Sequence, residues 1–221
     1  MKDINCWQSK FEHCIYSDRL LNKIFNKLLL LEQDSSNNIN ILEVKKAIYY
    51  AKKYHGSQMR QSGEQYYSHP LAVAYMIADH VLETDVLVTS ILHDTIEDTA
   101  FTKEMINLIF GSVVANQVED LTRIKQDRKI SFMEMAKYLK QEKKYKILLI
   151  KCFDRLHNLQ TLAAKSLIKQ KETIKESLEV FFMLATNLEL EIEQEIEISR
   201  SSINIIANEI NKLIQKQDLS A

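Results

Sequence analysis

An all-α fold is the class that the sequence predicts, and two observations predict it. The 221 residues include only three glycines and one proline, so the chain has few of the residues that end strands and build long loops. Leucine, isoleucine, lysine and glutamate are abundant, and apolar residues recur every three to four positions along much of the chain, which is the period of amphipathic helices. The composition is 46% hydrophobic and 27% charged, as in ordinary globular proteins that bury a sizeable core.

The first half of the chain is predicted to form helices separated by one long loop. The first helix covers residues 17–32, and the polar stretch QDSSNNIN after it is a predicted linker. The second helix runs from residue 41 to about residue 54, and the loop HGSQMRQSGEQYYS follows with two of the three glycines. Pro70 then lies at the start of the third helix, because proline suits the first helical turn.

Helical periodicity continues through LAVAYMIADHV and again over residues 85–98, and Phe110 and Gly111 mark a predicted turn. Residues 121–131 are predicted to form a loop rich in Arg and Lys. Two helices are expected between residues 131 and 162, although the run KILLI alone could equally be a short buried strand. The chain from Lys171 onwards is predicted to be helical and includes the acidic segment ELEIEQEIE.

These elements predict three parts. Residues 1–40 form an N-terminal helical extension and linker, residues 41–170 form the core, and residues 171–221 form C-terminal helices that pack on the core or extend from it.

Charge and cysteine content limit the expected partners. The formal net charge of -1 provides no basic field for nucleic acid or anionic membrane. The three cysteines, Cys6, Cys14 and Cys152, are odd in number and lack Cys-x-x-Cys spacing, which argues against a disulfide framework or a zinc ribbon. The apolar runs are too short to span a bilayer, and the N-terminus is too polar for a signal peptide. We therefore expect a cytoplasmic protein that binds any anionic ligand locally.

The octapeptide LHDTIEDT, residues 92–99, carries one imidazole and three carboxylates within two turns of a predicted helix. Residues three and four apart share a helix face, so His93, Asp94 and Glu97 are expected to project together, with Asp98 one turn from Asp94. A divalent cation held by the adjacent His-Asp pair would stabilise these crowded carboxylates. A solvated acidic helix face is the alternative for a His-Asp dipeptide alone.

Two further segments carry polar residues of the same kind. In IKCFDRLHNLQTL, one polar stripe with helical spacing contains Asp154, His157, Asn158 and Thr161. A carboxylate beside such an apolar run either faces solvent or pairs with a positive charge in the interior, and a metal would serve. His69 offers a third candidate ligand at the start of a helix, and its alternative role is that of a capping or structural histidine.

Four segments of the chain resemble the hydrolase domain of the Rel/SpoT-type guanosine tetraphosphate (ppGpp) hydrolases, members of the HD metal-dependent phosphohydrolase superfamily. In chain order they are HGSQMRQSGEQYYSHPLAVA, ILHDTIEDT, IFGSVVANQVEDLT and IKCFDRLHNLQTL. The similarity runs from about residue 42 to residue 162, and four motifs in one order form a specific signal. The resemblance implies a compact multi-helix HD-domain bundle with N- and C-terminal helical extensions.

The resemblance also implies three sets of site residues. The metal ligands, which would hold one Mn²⁺ per chain, are His69, His93, Asp94 and Asp154. The catalytic acids, which would orient or deprotonate the attacking water, are Glu97 and Asp98. The substrate-binding residues are Arg60, Ser62, Asn158 and Thr161. A mixed imidazole and carboxylate set suits manganese better than magnesium, which prefers oxygen ligands.

The implied activity is the removal of the 3′-diphosphate from ppGpp or pppGpp, which gives GDP or GTP and pyrophosphate and degrades the alarmone of the stringent response. Two alternatives stay open: an HD phosphohydrolase of another nucleotide such as NADPH, and a non-catalytic nucleotide-binding or regulatory remnant. Long bifunctional relatives continue into a synthetase domain, and this chain ends before one could begin, so we expect no alarmone synthesis by that route.

Three residues near these motifs receive no functional role from the sequence. His55 and His80 lack partners at ligand spacing and match no ligand of the family, so we expect both to be structural or surface residues. Tyr66 either lines the pocket or anchors the loop that precedes His69.

Overall fold

The computed structural model describes residues 7–8, 11, 19–32, 39–122, 124–125 and 128–188. The chain divides into a first unit, residues 1–127, and a second unit, residues 128–221. Regular structure in the described ranges is helical except for two strands of two residues each and one isolated β-bridge. The predicted all-α class is confirmed. None of the described helices is long and apolar enough to cross a membrane.

The described part of the first unit contains helices α1 to α7 and strand β1. Their bounds are α1 Arg19–Glu32, α2 Ile41–His55, α3 Ser68–Ile77, α4 Thr84–Leu92, α5 Thr95–Asp98, α6 Lys103–Phe110, α7 Ser112–Leu121 and β1 Ile124–Lys125. Pro70 lies in the first turn of α3, as predicted. Asn40 caps α2, because its side-chain oxygen accepts the backbone N–H of Glu43 at 3.2 Å.

Helix α4 is the central helix of the first unit and contacts α2, α3 and α7. Residues 86–92 are each at most 1% exposed, and a helix that is apolar on all sides belongs in an interior. Its two buried hydroxyls are bonded: Thr89 donates to the Gln117 side-chain carbonyl at 2.5 Å, and Ser90 donates to the Leu87 carbonyl at 2.8 Å. The C-terminal end of α4 therefore delivers the next residue, His93, into the core.

The helix predicted over residues 85–98 is interrupted, since α4 ends at Leu92 and α5 begins at Thr95. His93 Nδ1 donates to the Ser90 carbonyl at 2.8 Å, and the Thr95 hydroxyl donates to the Leu92 carbonyl at 2.6 Å. Side chains thus bond carbonyls that backbone amides would use in a continuous helix. The prediction of a single helix is wrong because these local bonds compete with the helical ladder.

The described part of the second unit contains strand β2, helices α8 to α10 and a short 3₁₀ turn. Their bounds are β2 Arg128–Lys129, α8 Phe132–Gln141, α9 Tyr145–Gln160, 3₁₀ turn Leu162–Ala164 and α10 Leu167–Leu188. The run KILLI lies inside α9, so the helical alternative is correct. Ser131 and Glu134 form a capping box at the start of α8, with reciprocal bonds of 3.1 and 2.8 Å.

Arg155 joins α9 to the other helices of the second unit. Its side chain is 12% exposed and pairs with Glu176 on α10, while its Nε donates to the Ser177 hydroxyl at 2.7 Å. The other carboxylate oxygen of Glu176 accepts the backbone N–H of Phe132 at 2.9 Å, which is one of the amides that a helix leaves unbonded in its first turn. One ion pair therefore connects α8, α9 and α10.

Several predicted features lie outside the described residues. They are most of the N-terminal extension, most of the QDSSNNIN linker, and the helices beyond residue 188 with their acidic segment. The domain boundaries at residues 40 and 170 stay a prediction.

We predict that Arg155→Met lowers the free energy of unfolding by about 2 kcal/mol or more, because it removes the hydrogen bonds of a charged group and takes the guanidinium away from the Glu176 carboxylate. Urea denaturation measures this change. Arg128→Met is the matched control, since the Arg128 side chain is 67% exposed and pairs with Glu134 at 3.0 Å; exposed pairs contribute about 1 kcal/mol at most. Equal losses in the two variants would contradict a structural role for Arg155.

Candidate active site

Three of the predicted metal ligands come together within the first unit. His69 in the first turn of α3 and His93 directly after α4 are 2% and 1% exposed. Asp94 Oδ1 lies 3.0 Å from His93 Nε2, and Asp94 Oδ2 lies 3.4 Å from His69 Nε2. The centroids of the two imidazole rings are 5.3 Å apart. Both carboxylate oxygens of Asp94 therefore face a buried ring nitrogen.

This arrangement suits a bound cation. His93 Nδ1 uses its proton on the Ser90 carbonyl, so in the neutral imidazole the lone pair is on Nε2 and points to the Asp94 carboxylate. Two electron-rich atoms 3.0 Å apart repel each other unless a proton or a cation lies between them. Within the first unit, the buried Nε2 atoms of His69 and His93 and the carboxylate of Asp94 are the donors that such a cation would meet. Such nitrogen and oxygen donors fit a divalent transition metal.

The two predicted catalytic acids lie at the end of α5. Glu97 is partly exposed and Asp98 is exposed, and the backbone N–H of Asp98 donates to the Asp94 carbonyl at 2.9 Å. Desolvation of its carboxylate by the neighbouring groups raises the pKa of Asp98, and the negative charges of Asp94 and Glu97 raise it further, while a hydrogen bond from Tyr66 opposes the shift. A carboxylate with a raised pKa that is open to solvent can accept a proton from water.

Arg60 and Ser62 lie on a tight turn of the loop between α2 and α3. The Arg60 N–H donates to the Glu64 carbonyl at 2.8 Å, and the Gly63 N–H donates to the Arg60 carbonyl at 3.0 Å. Gly63 has a φ of 87°, which side chains other than glycine rarely tolerate. The turn leaves Ser62 exposed and Arg60 partly exposed.

The remaining predicted site residues lie on and just after α9 in the second unit. Asp154 is 5% exposed; its Oδ1 accepts from Asn158 Nδ2 at 2.7 Å, and its Oδ2 pairs with Lys151 Nζ at 2.7 Å. Of the two surroundings expected for Asp154, the structure has the interior pairing with a positive charge. The Thr161 hydroxyl donates to the His157 carbonyl at 3.0 Å.

Sequence reasoning missed two polar residues beside these positions. Lys151 is 6% exposed and lies three residues before Asp154, so helical spacing could have identified it. Gln58 donates from Nε2 to the Asp98 carbonyl at 2.8 Å across 40 residues, and no local pattern indicates that contact.

Cys152 follows Lys151 in α9. Burial raises the pKa of its thiol to about 12, which makes it a poor nucleophile.

The sequence of this chain is similar to those of several bacterial proteins. The protein is 35% identical over 180 residues to the guanosine-3′,5′-bis(diphosphate) 3′-pyrophosphohydrolase of Spiroplasma citri, a match that covers 78% of this chain and 24% of that protein. It is 34% identical over 167 residues to the GTP pyrophosphokinase rsh of Brucella ovis, covering 72% and 22%. It is 37% identical over 156 residues to the GTP pyrophosphokinase of Myxococcus xanthus, covering 66% and 20%. The chain thus spans about a quarter or less of these curated relatives.

A solved structure described as a metazoan ortholog of SpoT that hydrolyzes ppGpp and plays a role in starvation responses has a similar fold. Its TM-score is 0.59 at 18% sequence identity, with 79% of this chain and 95% of that chain covered. This likeness shows a similar fold, and the relatives named above confirm the resemblance predicted from the four motifs. The model of the HD domain family matches residues 47–191, and the chain therefore belongs to the HD domain family.

Proposed function

We propose that the chain is a manganese-dependent pyrophosphohydrolase that removes the 3′-diphosphate from ppGpp or pppGpp and gives GDP or GTP and pyrophosphate. One observation carries the proposal: the Asp94 carboxylate faces the Nε2 atoms of His69 and His93, with Asp98 one helical turn further along the chain. Membership of the HD domain family and similarity to a Spiroplasma citri protein named for this reaction support it. We also propose a cytoplasmic location.

The proposed metal ligands are His69, His93, Asp94 and Asp154, which together would hold one Mn²⁺. The imidazoles and carboxylates of this set suit manganese, whose ligand preferences include both nitrogen and oxygen. When bound, the ion would lower the pKa of the attacking water and neutralise charge on the phosphoryl oxygens.

The two acids of α5, Glu97 and Asp98, would orient and deprotonate the attacking water. Asp98 accepts the proton of the water as its oxygen attacks the phosphorus attached to the ribose 3′ oxygen, and Glu97 orients the water. The bond between that phosphorus and the 3′ oxygen breaks, and the 3′ oxygen leaves as a hydroxyl with the proton that Asp98 took from the water, which returns Asp98 to its ionised form. The raised pKa of Asp98 favours this role, because a general base works best when its pKa approaches the working pH.

Four residues would bind the nucleotide. Arg60 can stack its planar guanidinium on the guanine ring and keep its charge for the 5′-diphosphate, and Ser62 on the same turn can hydrogen-bond. Asn158 and Thr161 supply further polar groups. A chain with a net charge of -1 attracts an anionic substrate through such local groups rather than through its overall field.

The first prediction of this proposal concerns substrate and metal. Purified protein is incubated with ppGpp, NADPH and ordinary nucleotides, each with Mn²⁺, Mg²⁺ or a chelator, and the products are separated. We expect pyrophosphate and GDP from ppGpp in the presence of Mn²⁺ and no products with chelator. Phosphate release from NADPH alone would instead favour another nucleotide, and nucleotide binding without any turnover would favour a regulatory remnant.

The second prediction separates metal binding from water chemistry. Asp98→Asn should keep manganese bound while turnover falls by about 10² to 10⁴, the usual contribution of a general acid or base. His69→Ala should lose manganese affinity, as measured by titration with limiting metal. His80→Ala, which changes a histidine outside the proposed site, should match the wild type in both measurements. Unchanged manganese stoichiometry in His69→Ala would remove His69 from the ligands.

The third prediction concerns the charge on Asp98. Its pKa is raised in the folded chain, so the ionised carboxylate destabilises the fold above that pKa, and protonation removes the penalty in acid. In metal-free protein, Asp98→Asn should therefore raise the melting temperature at pH 7, and the gain should shrink as the pH falls through the raised pKa of Asp98. Asp79→Asn should not raise it, because the Asp79 carboxylate pairs with Lys27 at 2.7 Å. A gain that persists unchanged in acid would refute this account.

A further inference from the structure

We infer that Tyr66 is a positioning residue for Asp98: its hydroxyl holds the Asp98 carboxylate in the orientation in which it accepts the proton of the attacking water. The inference deepens the proposed function and rests on it. It also answers the question that the sequence leaves open for Tyr66.

The hydroxyl distances identify Asp98 as the acceptor. Tyr66 Oη lies 2.6 Å from Asp98 Oδ2 and 3.3 Å from Asp94 Oδ2. A hydroxyl has one proton to donate, and the shorter distance is that of a charge-assisted O–H···O⁻ bond. The longer distance exceeds the normal range for hydroxyl donors. The proton of Tyr66 therefore goes to Asp98, and the phenol oxygen stays near the proposed ligand Asp94.

Asp98 needs such a restraint because little else orients its side chain. It is the last residue of α5, a helix of four residues, and the backbone turns to an extended conformation at Thr99. Its side chain is exposed, so several rotamers are open to it, and each unproductive one removes the carboxylate from the reacting water.

Tyr66 is itself fixed from two sides. Its ring stacks on the His55 ring, with centroids 4.7 Å apart and an angle of 21° between the planes. Its backbone N–H donates to the Gln58 carbonyl at 2.8 Å. Gln58 Nε2 in turn donates to the Asp98 carbonyl at 2.8 Å. Gln58 is thus hydrogen-bonded both to Tyr66, which donates the hydroxyl bond, and to Asp98, which accepts it.

His55, whose ring stacks on Tyr66, is a neutral imidazole. Since the amide nitrogen of Gln58 donates to Asp98, its Oε1 is the group that lies 2.9 Å from His55 Nδ1, and Nδ1 must carry the proton. The other ring nitrogen, Nε2, is buried with no hydrogen-bond partner among the described residues. Burial lowers the pKa of His55, which keeps the ring uncharged beneath Tyr66. The buried histidine thereby supports the tyrosine without adding a charge.

The loop between α2 and α3 is anchored by contacts that do not involve the Tyr66 hydroxyl. The loop is closed by the Met59–Gln65 bridge, by the backbone bond from Tyr66 to Gln58, and by a 3.0 Å bond from the His69 N–H to the Tyr66 carbonyl. All of these contacts, like the ring stacking, would persist with phenylalanine at this position.

Tyr66→Phe tests the inference because it removes only the hydroxyl. At saturating Mn²⁺ and ppGpp we expect kcat to fall about 10- to 100-fold, the loss expected for one hydrogen bond to a charged group. KM should stay within about threefold of the wild type, because the bond acts on the reacting water rather than on substrate binding. Manganese affinity should not change. Tyr54→Phe is the control with wild-type kcat, since the Tyr54 hydroxyl contacts Met105 Sδ at 3.5 Å.

Unfolding of the metal-free protein tests the contact without any substrate. A double-mutant cycle compares the urea unfolding of the wild type, Tyr66→Phe, Asp98→Ala and the double variant. We expect the combined effect on the unfolding equilibrium constant to differ by about threefold or more from the product of the single effects, as for residues in direct contact. Independent effects of the two substitutions would overturn the inference.

Two other outcomes would also overturn it. Wild-type kcat in Tyr66→Phe would exclude a positioning role. Weaker manganese binding in Tyr66→Phe, with kcat restored at saturating Mn²⁺, would assign the hydroxyl to Asp94 instead. If the wild type does not hydrolyse ppGpp, the proposed function fails and the catalytic part of the inference fails with it, and the unfolding cycle still decides whether Tyr66 holds Asp98.

Discussion

The contact between the Asp94 carboxylate and two buried imidazoles is the constraint on which the rest of the first unit depends. His69 and His93 come from different helix ends, and each presents Nε2 to one oxygen of Asp94. Bringing these groups into the core costs desolvation energy that only a proton or a cation between them can offset. The burial of α4 on all its faces positions His93 for this contact, because the helix carries that residue to the interior.

One hydrogen bond connects the shape of the chain to the chemistry of His93. Its Nδ1–H donates to the Ser90 carbonyl, which helps to end α4 and at the same time sets the tautomer that presents the Nε2 lone pair. The chain then resumes as the single turn α5, where the Asp98 amide bonds the Asp94 carbonyl. The interruption thereby separates the residues proposed to bind the metal from the acids proposed to act on water.

Neighbouring polar residues on α9 have different roles in the second unit. Arg155 ties three helices together through Glu176, Ser177 and the first amide of α8. Asp154, the residue before it, lies buried between Lys151 and Asn158. The ammonium of Lys151 supplies the positive charge that a buried carboxylate requires. Asp154 and Arg155 can have these different roles because adjacent residues of a helix point about 100° apart around its axis.

The sequence by itself determined the helical class and the candidate chemistry. Scarce glycine and proline, apolar periodicity and four motifs in order were enough, since helix formation and ligand type depend on local residue identity. The break in the helix over residues 85–98 comes from local side-chain bonds to its carbonyls, and apolar periodicity does not reveal it. Only the tertiary structure decided that Tyr66 and Gln58 reach Asp98 across 32 and 40 residues. Such contacts arise when separate segments pack, and no local pattern encodes them.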